Sequence, residues 1–406
     1  MERKMRKMMA LAAAVPLCAA GSMPQTEARL MPPPITPRAY VDCPSEMHAP
    51  GLRRHTGIPS IAVARKSGRL WSTYYGGITP GEDANNYVAL ATSADNGDTW
   101  KVVLVADPDG PGPKRTFDPE VWVSPGGRLL WTFSERLCMR PPENGKSGDF
   151  GDPNTDRLLC VELDAETESS GPFPEPREIA RGVMMCKPAV LADGTWLFPV
   201  SHWYDDPSAC FYASSDGGHT FHMRGGVSLP KGLRLFDEHV VVQLRNGDLL
   251  TFIRSGWGKP FLESVSHDGG RTWDAPRKAR FAHTSSRLFL MRLASGNLLL
   301  VKHGQIDKDV GRSQLRAFIS EDDGATWLGG LLLDERQGVS YPDGDQANDG
   351  TIYLVYDRNR TNEQEILFAA FTEKDAKAGR IVNGKSRLRR TITRKPGHSA
   401  RRQEAH

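Results

Sequence analysis

One eight-residue pattern occurs four times in this chain and constrains its fold more than any other feature. The pattern is Ser-x-Asp-x-Gly-x-Thr followed by Trp or Phe. Asp can accept hydrogen bonds from backbone N–H groups inside a tight turn, and Gly supplies the positive φ that such a turn needs. The aromatic ring can fill space between neighbouring sheets. Four copies in register indicate a repeat architecture. The copies cover residues 93–100, 214–221, 266–273 and 320–327.

The repeat resembles the Asp box, also called the bacterial neuraminidase repeat, and the chain is thereby similar to the sialidase superfamily. The resemblance implies an all-β fold, a six-bladed β-propeller in which the Asp boxes are structural turns. Asp boxes also occur in proteins that have no glycosidase activity. Function therefore has to be argued from other residues.

A second repeat supports six blades. A small or polar residue followed by Gly and an apolar run is a strong hairpin signal, and the successive glycines lie 49 to 67 residues apart. A mixed β-sandwich array is the alternative, but it does not explain this even period. The turns are Ser67-Gly68, Gly126-Gly127, Asp193-Gly194, Asn246-Gly247, Ser295-Gly296 and Asp349-Gly350. The predicted blades are 57–105, 117–180, 184–230, 237–282, 285–335 and 340–375.

The two ends of the chain differ from the repeats. Residues 1–22 predict a signal peptide, with a basic start followed by an apolar run too short to span a membrane. The protein is therefore expected to be exported, periplasmic or secreted, with lipoprotein anchoring through Cys18 as the minor alternative. Residues 23–49 are expected to be a linker and a closing N-terminal strand, residues 50–378 the propeller, and residues 379–406 a basic, disordered tail.

Composition narrows the possible partners. The formal net charge of +3 gives no argument for nucleic acid. After the signal, five scattered cysteines show neither zinc-ligand spacing nor a disulfide framework. We expect a monomer that binds a glycan substrate, with no cofactor, no metal and no membrane span.

Register predicts where a site lies. Residues about eight positions before and after each hairpin turn come to the same open end of a blade. These positions carry charged, hydroxylated or imidazole side chains, whereas a propeller without a site would place apolar or small residues there. The set comprises Asp118, Ser134, Lys187, Ser201, His202, Glu238, Arg254, Arg287, His303, Tyr341 and Asp357.

Four residues match positions of the sialidase active site. The resemblance implies that Tyr341 is the nucleophile, that Glu238 assists it, and that Arg254 and Arg312 bind the substrate carboxylate. The chemistry is coherent, because a tyrosine needs a neighbouring carboxylate to take its proton, and a neutral nucleophile suits an anionic sugar. Arginines provide bidentate clamps for a carboxylate. Asp118, Lys187, Arg287 and His303 are further candidates for substrate binding.

Two departures from the family pattern bear on substrate and mechanism. The sialidase Arg-Ile-Pro motif reads Gly57-Ile58-Pro59 here, so the first arginine of the triad is missing. Arg54, Lys187 or Arg287 are candidates to replace its charge. The acid/base aspartate of the family lies in the loop after the first hairpin, where this chain offers Glu82 or Asp83.

Three functions fit this sequence. The first is an exo-glycosidase that hydrolyses a terminal acidic sugar with retention through a tyrosyl intermediate. The second is a propeller lyase that acts on uronic-acid glycans with His239 or His303 as base. The third is a non-catalytic glycan-binding propeller. We expect weak activity on common sialosides and better activity on another acidic sugar.

Overall fold

Twenty-five strands form six antiparallel sheets in a computed structural model, which describes residues 39–110, 112–140, 148–168 and 171–397. The predicted signal peptide lies outside the described residues. Each sheet takes consecutive strands, so every blade is contiguous in sequence. The first strand of each of blades two to six, and β2 in blade one, is the innermost.

The first blade contains β1 (Val41–Asp42), β2 (His55–Val63), β3 (Leu70–Gly77), β4 (Asn86–Ser93) and β5 (Lys101–Ala106), with a short 3-10 helix (Glu46–His48) before β2. The second contains β6 (Lys114–Val123), β7 (Arg128–Leu137), β8 (Asp152–Asp164) and β9 (Arg177–Arg181). The third contains β10 (Ala189–Val190), β11 (Trp196–Ser201), β12 (Ala209–Ser214) and β13 (His222–Val227).

The fourth blade contains β14 (His239–Gln243), β15 (Leu249–Ile253), β16 (Leu262–Ser266) and β17 (Arg277–Lys278). The fifth contains β18 (Phe289–Arg292), β19 (Leu298–His303), β20 (Leu315–Ser320) and β21 (Leu328–Asp334). The sixth contains β22 (Val339–Gln346), β23 (Thr351–Arg358), β24 (Glu365–Thr372) and β25 (Arg387–Thr393), with helix α1 (Glu373–Ala378) between the last two strands. The prediction of an all-β, six-bladed propeller is confirmed.

The core lies between the blades. Strands in the middle of a blade are buried on both faces because each sheet packs against two neighbours; every residue of β3, β4 and β15 is buried. The β15 sequence is accordingly a near-continuous apolar run, and the buried hydroxyls of Ser72 and Thr73 in β3 donate to backbone carbonyls.

The Asp boxes join β4 to β5 in blade one and the third strand to the fourth in blades three, four and five. In the fourth blade, Asp268 accepts hydrogen bonds from the backbone N–H and hydroxyl of Thr272, at 2.9 and 2.6 Å, and Ser266 donates to the same carboxylate at 2.9 Å. The ring of Trp273 stacks on Phe211 of the third blade, with centroids 4.4 Å apart. The predicted roles of Asp and of the aromatic ring are both observed.

The ring closes differently from the expectation. The N-terminal strand β1 does not enter the last blade; it pairs with β5 at the outer edge of the first. Three carboxylates on the innermost strand β22 and the next strand β23 instead accept backbone N–H groups of β2, at 2.8 to 3.0 Å. The bonds run from Ile58 to Asp357, from Ile61 to Asp343 and from Val63 to Asp345.

The predicted disordered tail was wrong for part of its length. Residues Arg387–Thr393 form β25, which pairs with β24 and completes the sixth blade. Leu388 packs against the core cluster of blades five and six, and Ile392 packs against the cluster of blades six and one. The basic side chains hid this strand in the sequence because an outermost strand leaves one face in solvent.

Candidate active site

The candidate site residues share one end of the propeller. An inner strand starts at this end, and the second strand of each blade finishes there, so residues before the first strand and after the second converge. Glu238 immediately precedes β14, Arg254 immediately follows β15, and Tyr341 lies near the start of β22. The turns between third and fourth strands, which carry the Asp boxes, lie at the opposite end.

A repeated bulge directs side chains toward the propeller axis. In β2, β6 and β22 the pairing register shifts around an X-Pro step. The residues before these prolines are Ile58, Asp118 and Tyr341, with φ of 49°, 46° and 53°. A left-handed backbone at a non-glycine residue costs about 1–3 kcal/mol and concentrates at functional sites. The X-Pro repeat was visible in the sequence and marks both Asp118 and Tyr341.

Tyr341 and Glu238 form the centre of the site. The Tyr341 hydroxyl donates to Glu238 Oε1 at 2.6 Å, and Arg254 Nη1 donates to both the same carboxylate oxygen and the Tyr341 oxygen, the latter at 2.7 Å. All three side chains are buried. Burial raises the pKa of Tyr341, Glu238 raises it further, and the nearby arginines oppose the rise. The predicted pairing of these residues is present.

Three more guanidinium groups lie beside the Tyr341 ring; the Cζ of Arg287, which bonds backbone carbonyls, is 5.3 Å from the ring centroid. The Arg312 Cζ is 5.4 Å from the ring centroid, and the Arg360 Cζ is 4.4 Å from it. Arg312 Nε and Arg360 Nη2 are buried and have no hydrogen-bond partner among the described residues. Trp257, which is 62% exposed, covers the outer side of Arg254 and Arg312. Unpaired donors beside a buried tyrosine indicate a place for an anionic ligand.

Arg360 is the residue that sequence reasoning missed. It follows β23, and its side chain fills the space next to Gly57: a Cβ at Gly57 would lie 2.7 Å from its Cδ and Nε. Arg360 Nε donates to Asp357 Oδ2 at 2.9 Å. Of the replacements considered for the missing arginine, Arg54 is exposed at the start of β2. The sequence signal that could have indicated this arrangement is Gly57, because a glycine leaves room for the side chain of a neighbouring residue.

Asp118 is a buried carboxyl group within the same charge cluster. Burial raises its pKa to about 7, with Glu82 and Glu238 adding to the rise while Arg115 and Arg360 oppose it. Its Oδ1 is buried without a hydrogen-bond partner among the described residues. An unpaired carboxyl group with this pKa is suited to donate a proton near neutral pH.

The two expected acid/base candidates lie elsewhere in the network. Burial alone would raise the pKa of Glu82, but Arg115, His55 and Arg360 lower it to about 2. Asp83 accepts the Thr79 hydroxyl at 2.8 and 2.9 Å and the Gly148 N–H at 2.9 Å. The geometry gives Glu82 the role of an ionised partner and Asp83 that of a loop-closing acceptor. Asp118 has the properties expected of the acid.

Lys187 was predicted to bind the substrate. Its side chain lies too deep along the propeller axis for that role. Its ammonium group donates to Ser60 Oγ at 2.8 Å, Glu120 Oε1 at 2.5 Å, the Val121 carbonyl at 2.7 Å and Asp343 Oδ2 at 2.6 Å. These contacts use more than its three protons, so none remains for a sugar. Lys187 ties three inner strands together.

Arg287 and His303 also contact backbone. Arg287 donates to the carbonyls of Met185, Pro59 and Tyr341, the last two at 2.7 and 2.8 Å. Its guanidinium thereby supports the strained segment that carries Tyr341. His303 Nε2 bonds the Val339 carbonyl at 2.9 Å, and burial lowers its pKa to about 3. The hairpin register correctly predicted the end of the blade at which Arg287 and His303 lie. It did not predict how deeply their side chains are buried.

Metal and membrane features are absent from the part of the chain that the structure describes. No cluster of three or more His, Cys, Asp or Glu side chains there could hold a metal ion. No helix in the same residues is long and apolar enough to cross a membrane. The five cysteines of these segments are free thiols.

Comparison with known proteins agrees with this architecture. Residues 168–354 match the BNR repeat-like domain. The Hadza microbial sialidase is 20% identical with a TM-score of 0.62 over 79% of this chain and 66% of that chain. The leech intramolecular trans-sialidase is 14% identical, with a TM-score of 0.60 over 84% of this chain and 71% of that one. No curated protein matches the sequence.

A protein of unknown function from Dyadobacter fermentans also has the fold, at 19% identity and a TM-score of 0.56, over 77% of this chain and 92% of that one. At such identities a structural likeness establishes the fold alone. The chain is thus a six-bladed β-propeller with a buried tyrosine–glutamate–arginine centre. Over residues 168–354 it matches the BNR repeat-like domain, and it shares the propeller fold of the sialidases named above.

Proposed function

We propose that this protein is an exo-glycosidase that hydrolyses a terminal acidic sugar from glycans. The observation that carries the proposal is the 2.6 Å hydrogen bond from the Tyr341 hydroxyl to Glu238, set among Arg254, Arg312 and Arg360. Tyr341 has one carboxylate to receive its proton and three cations to attract an anionic substrate. The structural relatives named above include sialidases, which is consistent with this chemistry.

In the proposed reaction, Tyr341 attacks the anomeric carbon while its proton passes to Glu238. Because burial holds the pKa of Tyr341 above that of the free side chain, the hydroxyl is a poor nucleophile without that acceptor. Arg254, which contacts both oxygens, stabilises the negative charge as it forms on the tyrosine. Water then releases the sugar with net retention of configuration.

Protonation of the leaving group is the second requirement, and we propose Asp118 for it. Its pKa of about 7 leaves it protonated in neutral or mildly acidic solution. The same group as a carboxylate can then activate the water that hydrolyses the intermediate. Glu82, with its pKa of about 2, remains ionised throughout.

Both candidate bases of the lyase alternative are weak, because burial lowers the pKa of each ring. The Nε2 of His239 lies 2.8 Å from the Cys210 carbonyl and its Nδ1 lies 3.0 Å from the Asp237 carbonyl, both of which can only accept a hydrogen bond, and burial lowers the pKa of the ring to about 4. His303 is similarly bound to Val339. The His303 Nδ1 is buried without a hydrogen-bond partner among the described residues, but burial lowers the pKa of this ring to about 3, so it is a weak base. A glycan-binding propeller without turnover remains the other outcome of the test.

The test is product analysis on a panel of sialylated and uronate-capped glycans with the purified protein. Release of a free acidic sugar supports the proposal, whereas an unsaturated uronate that absorbs in the ultraviolet identifies a lyase and unchanged glycan identifies a binder. Tyr341→Phe should abolish release. Tyr353→Phe, which also removes one hydroxyl from the sixth blade, is the matched control and should leave release intact.

The proposed location is outside the cytoplasm. The basic start and apolar run of residues 1–22 support it, and they lie outside the described residues. Fractionation of cells that express the full chain, with and without these residues, tests export directly.

A further inference from the structure

We propose that Arg360 and Gly57 act as a reciprocal pair that completes the carboxylate-binding cluster from a different blade. This inference rests on the glycosidase proposal for its substrate class. Gly57 is in blade one, at the position where an arginine is absent, and Arg360 follows the second strand of blade six. The glycine provides the space, and the arginine provides the charge.

The space next to Gly57 is filled by the side chain of Arg360. A Cβ at Gly57 would lie 2.7 Å from both Cδ and Nε of Arg360 and 3.0 Å from its Cγ. The Gly57 backbone lies outside the left-handed region, so its need for glycine is steric and not conformational. Any larger side chain at this position has to displace the stem of Arg360.

The backbone carbonyl and the guanidinium of Arg360 are both held by hydrogen bonds, but its Nη2 donor has no partner in the described part of the chain. Its carbonyl accepts the Thr56 N–H at 2.9 Å, and its Nε donates to Asp357 Oδ2 at 2.9 Å. Asp357 is fixed in turn by the Ile58 N–H and by the Ser340 hydroxyl at 2.6 Å. Nη1 lies 4.0 Å from Glu82, whereas the buried Nη2 has no hydrogen-bond partner among the described residues.

This free donor lies beside the nucleophile. The Arg360 Cζ is 4.4 Å from the Tyr341 ring centroid, nearer than that of Arg312 at 5.4 Å. Arg312 Nε is likewise buried and unpaired within the described segments. A bound carboxylate would satisfy both donors, and buried unpaired donors are costly to maintain without a ligand. Arg360 therefore selects substrates that carry a carboxylate.

Binding measurements separate this inference from turnover. N-acetylneuraminic acid and glucuronic acid, each beside its methyl ester, are titrated into the full-length protein by calorimetry. Wild type should bind at least one acid about ten- to a hundredfold tighter than its ester, because one charge-assisted contact to a carboxylate is worth that factor. Arg360→Ala should lose that preference with little change for the ester, and Arg360→Lys should retain part of it.

Arg358→Ala is the matched control. It removes the same charge two residues away, where Arg358 pairs with Glu365 at 2.9 Å, and it should keep the preference for the acid. Gly57→Ala should weaken acid binding through displacement of Arg360. The exchange variant, Gly57→Arg with Arg360→Gly, should restore acid binding relative to Arg360→Gly alone.

Three outcomes would overturn the inference: no acid bound more tightly than its ester, an unchanged preference in Arg360→Ala, or equal losses for acid and ester. Binding without hydrolysis would refute the glycosidase proposal and leave the cluster intact. Hydrolysis of glycosides with no preference for the carboxylate would support the glycosidase proposal and refute the role inferred for Arg360.

Discussion

Glu238→Gln and Tyr341→Phe, made singly and together, test the chemistry proposed for the site. Glu238 accepts the Tyr341 hydroxyl at 2.6 Å, so each single change removes the same proton transfer. Either should lower kcat by about a thousandfold or more, as expected when one member of a catalytic unit is lost. The double variant should lie within about tenfold of the slower single variant, because the unit is already disabled.

Stability should respond differently, and this difference separates chemistry from folding. Glu238→Gln leaves the buried guanidinium of Arg254 without its carboxylate, and breaking a buried ion pair costs about 3–5 kcal/mol of unfolding free energy. Tyr341→Phe removes only a hydroxyl bonded to charged groups, for which about 1.5–3 kcal/mol is expected. Nearly equal losses of kcat with unequal losses of stability would show that the kinetic effect is chemical.

The assay combines kcat on the best acidic glycoside from the panel with urea unfolding of all four proteins. Losses of kcat that multiply in the double variant would refute the pairing, since independent contributions add as free energies. A loss of kcat that follows the loss of folded protein would refute the assigned roles.

Four further predictions concern Asp118, one Asp box and the last strand. Activity should fall as pH rises through about 7, as Asp118 loses its proton; Asp118→Asn should abolish this limb in kcat/KM profiles with an activated leaving group. Its raised pKa contributes stability at low pH that is lost as pH rises through about 7, so Asp118→Asn should unfold less readily than wild type above that pH. Asp268→Ala should lower the thermal midpoint of unfolding by several degrees and leave kcat unchanged. Truncation of the chain before Arg387 should expose the edge of β24 and lower the solubility of the protein in sedimentation assays.

Much of the architecture was predictable because it is periodic. Each turn dipeptide and each Asp box reports local backbone geometry, so the blades could be counted before any long-range contact was known. The predicted fourth blade, 237–282, contains β14 to β17, whose outer limits are His239 and Lys278. Glu238 and Arg254 followed from register, since one fixed hairpin places both at the same end.

The depth at which a side chain lies along the propeller axis, and its contacts with other blades, could not be predicted from local sequence patterns. Lys187 and Tyr341 occupy equivalent X-Pro positions in the sequence, yet one donates into a buried axial cluster and the other lies against arginines. Arg360 was missed because it lies in a loop after β23, and nothing local brings it toward Gly57. Only the packing of blade six against blade one does so.

The seam between those blades has a mechanical consequence. As at every blade boundary, no strand is shared across it. Here, in addition, no segment of the described chain connects the two blades, and the inner layer is held by the side-chain carboxylates of Asp343, Asp345 and Asp357. The ends of the described chain lie in these same two blades, so tension applied at residues 39 and 397 loads the seam directly. Under force the ring should open there first, as a flat chain of intact blades, and Arg360 would be pulled away from Gly57 in the opening step.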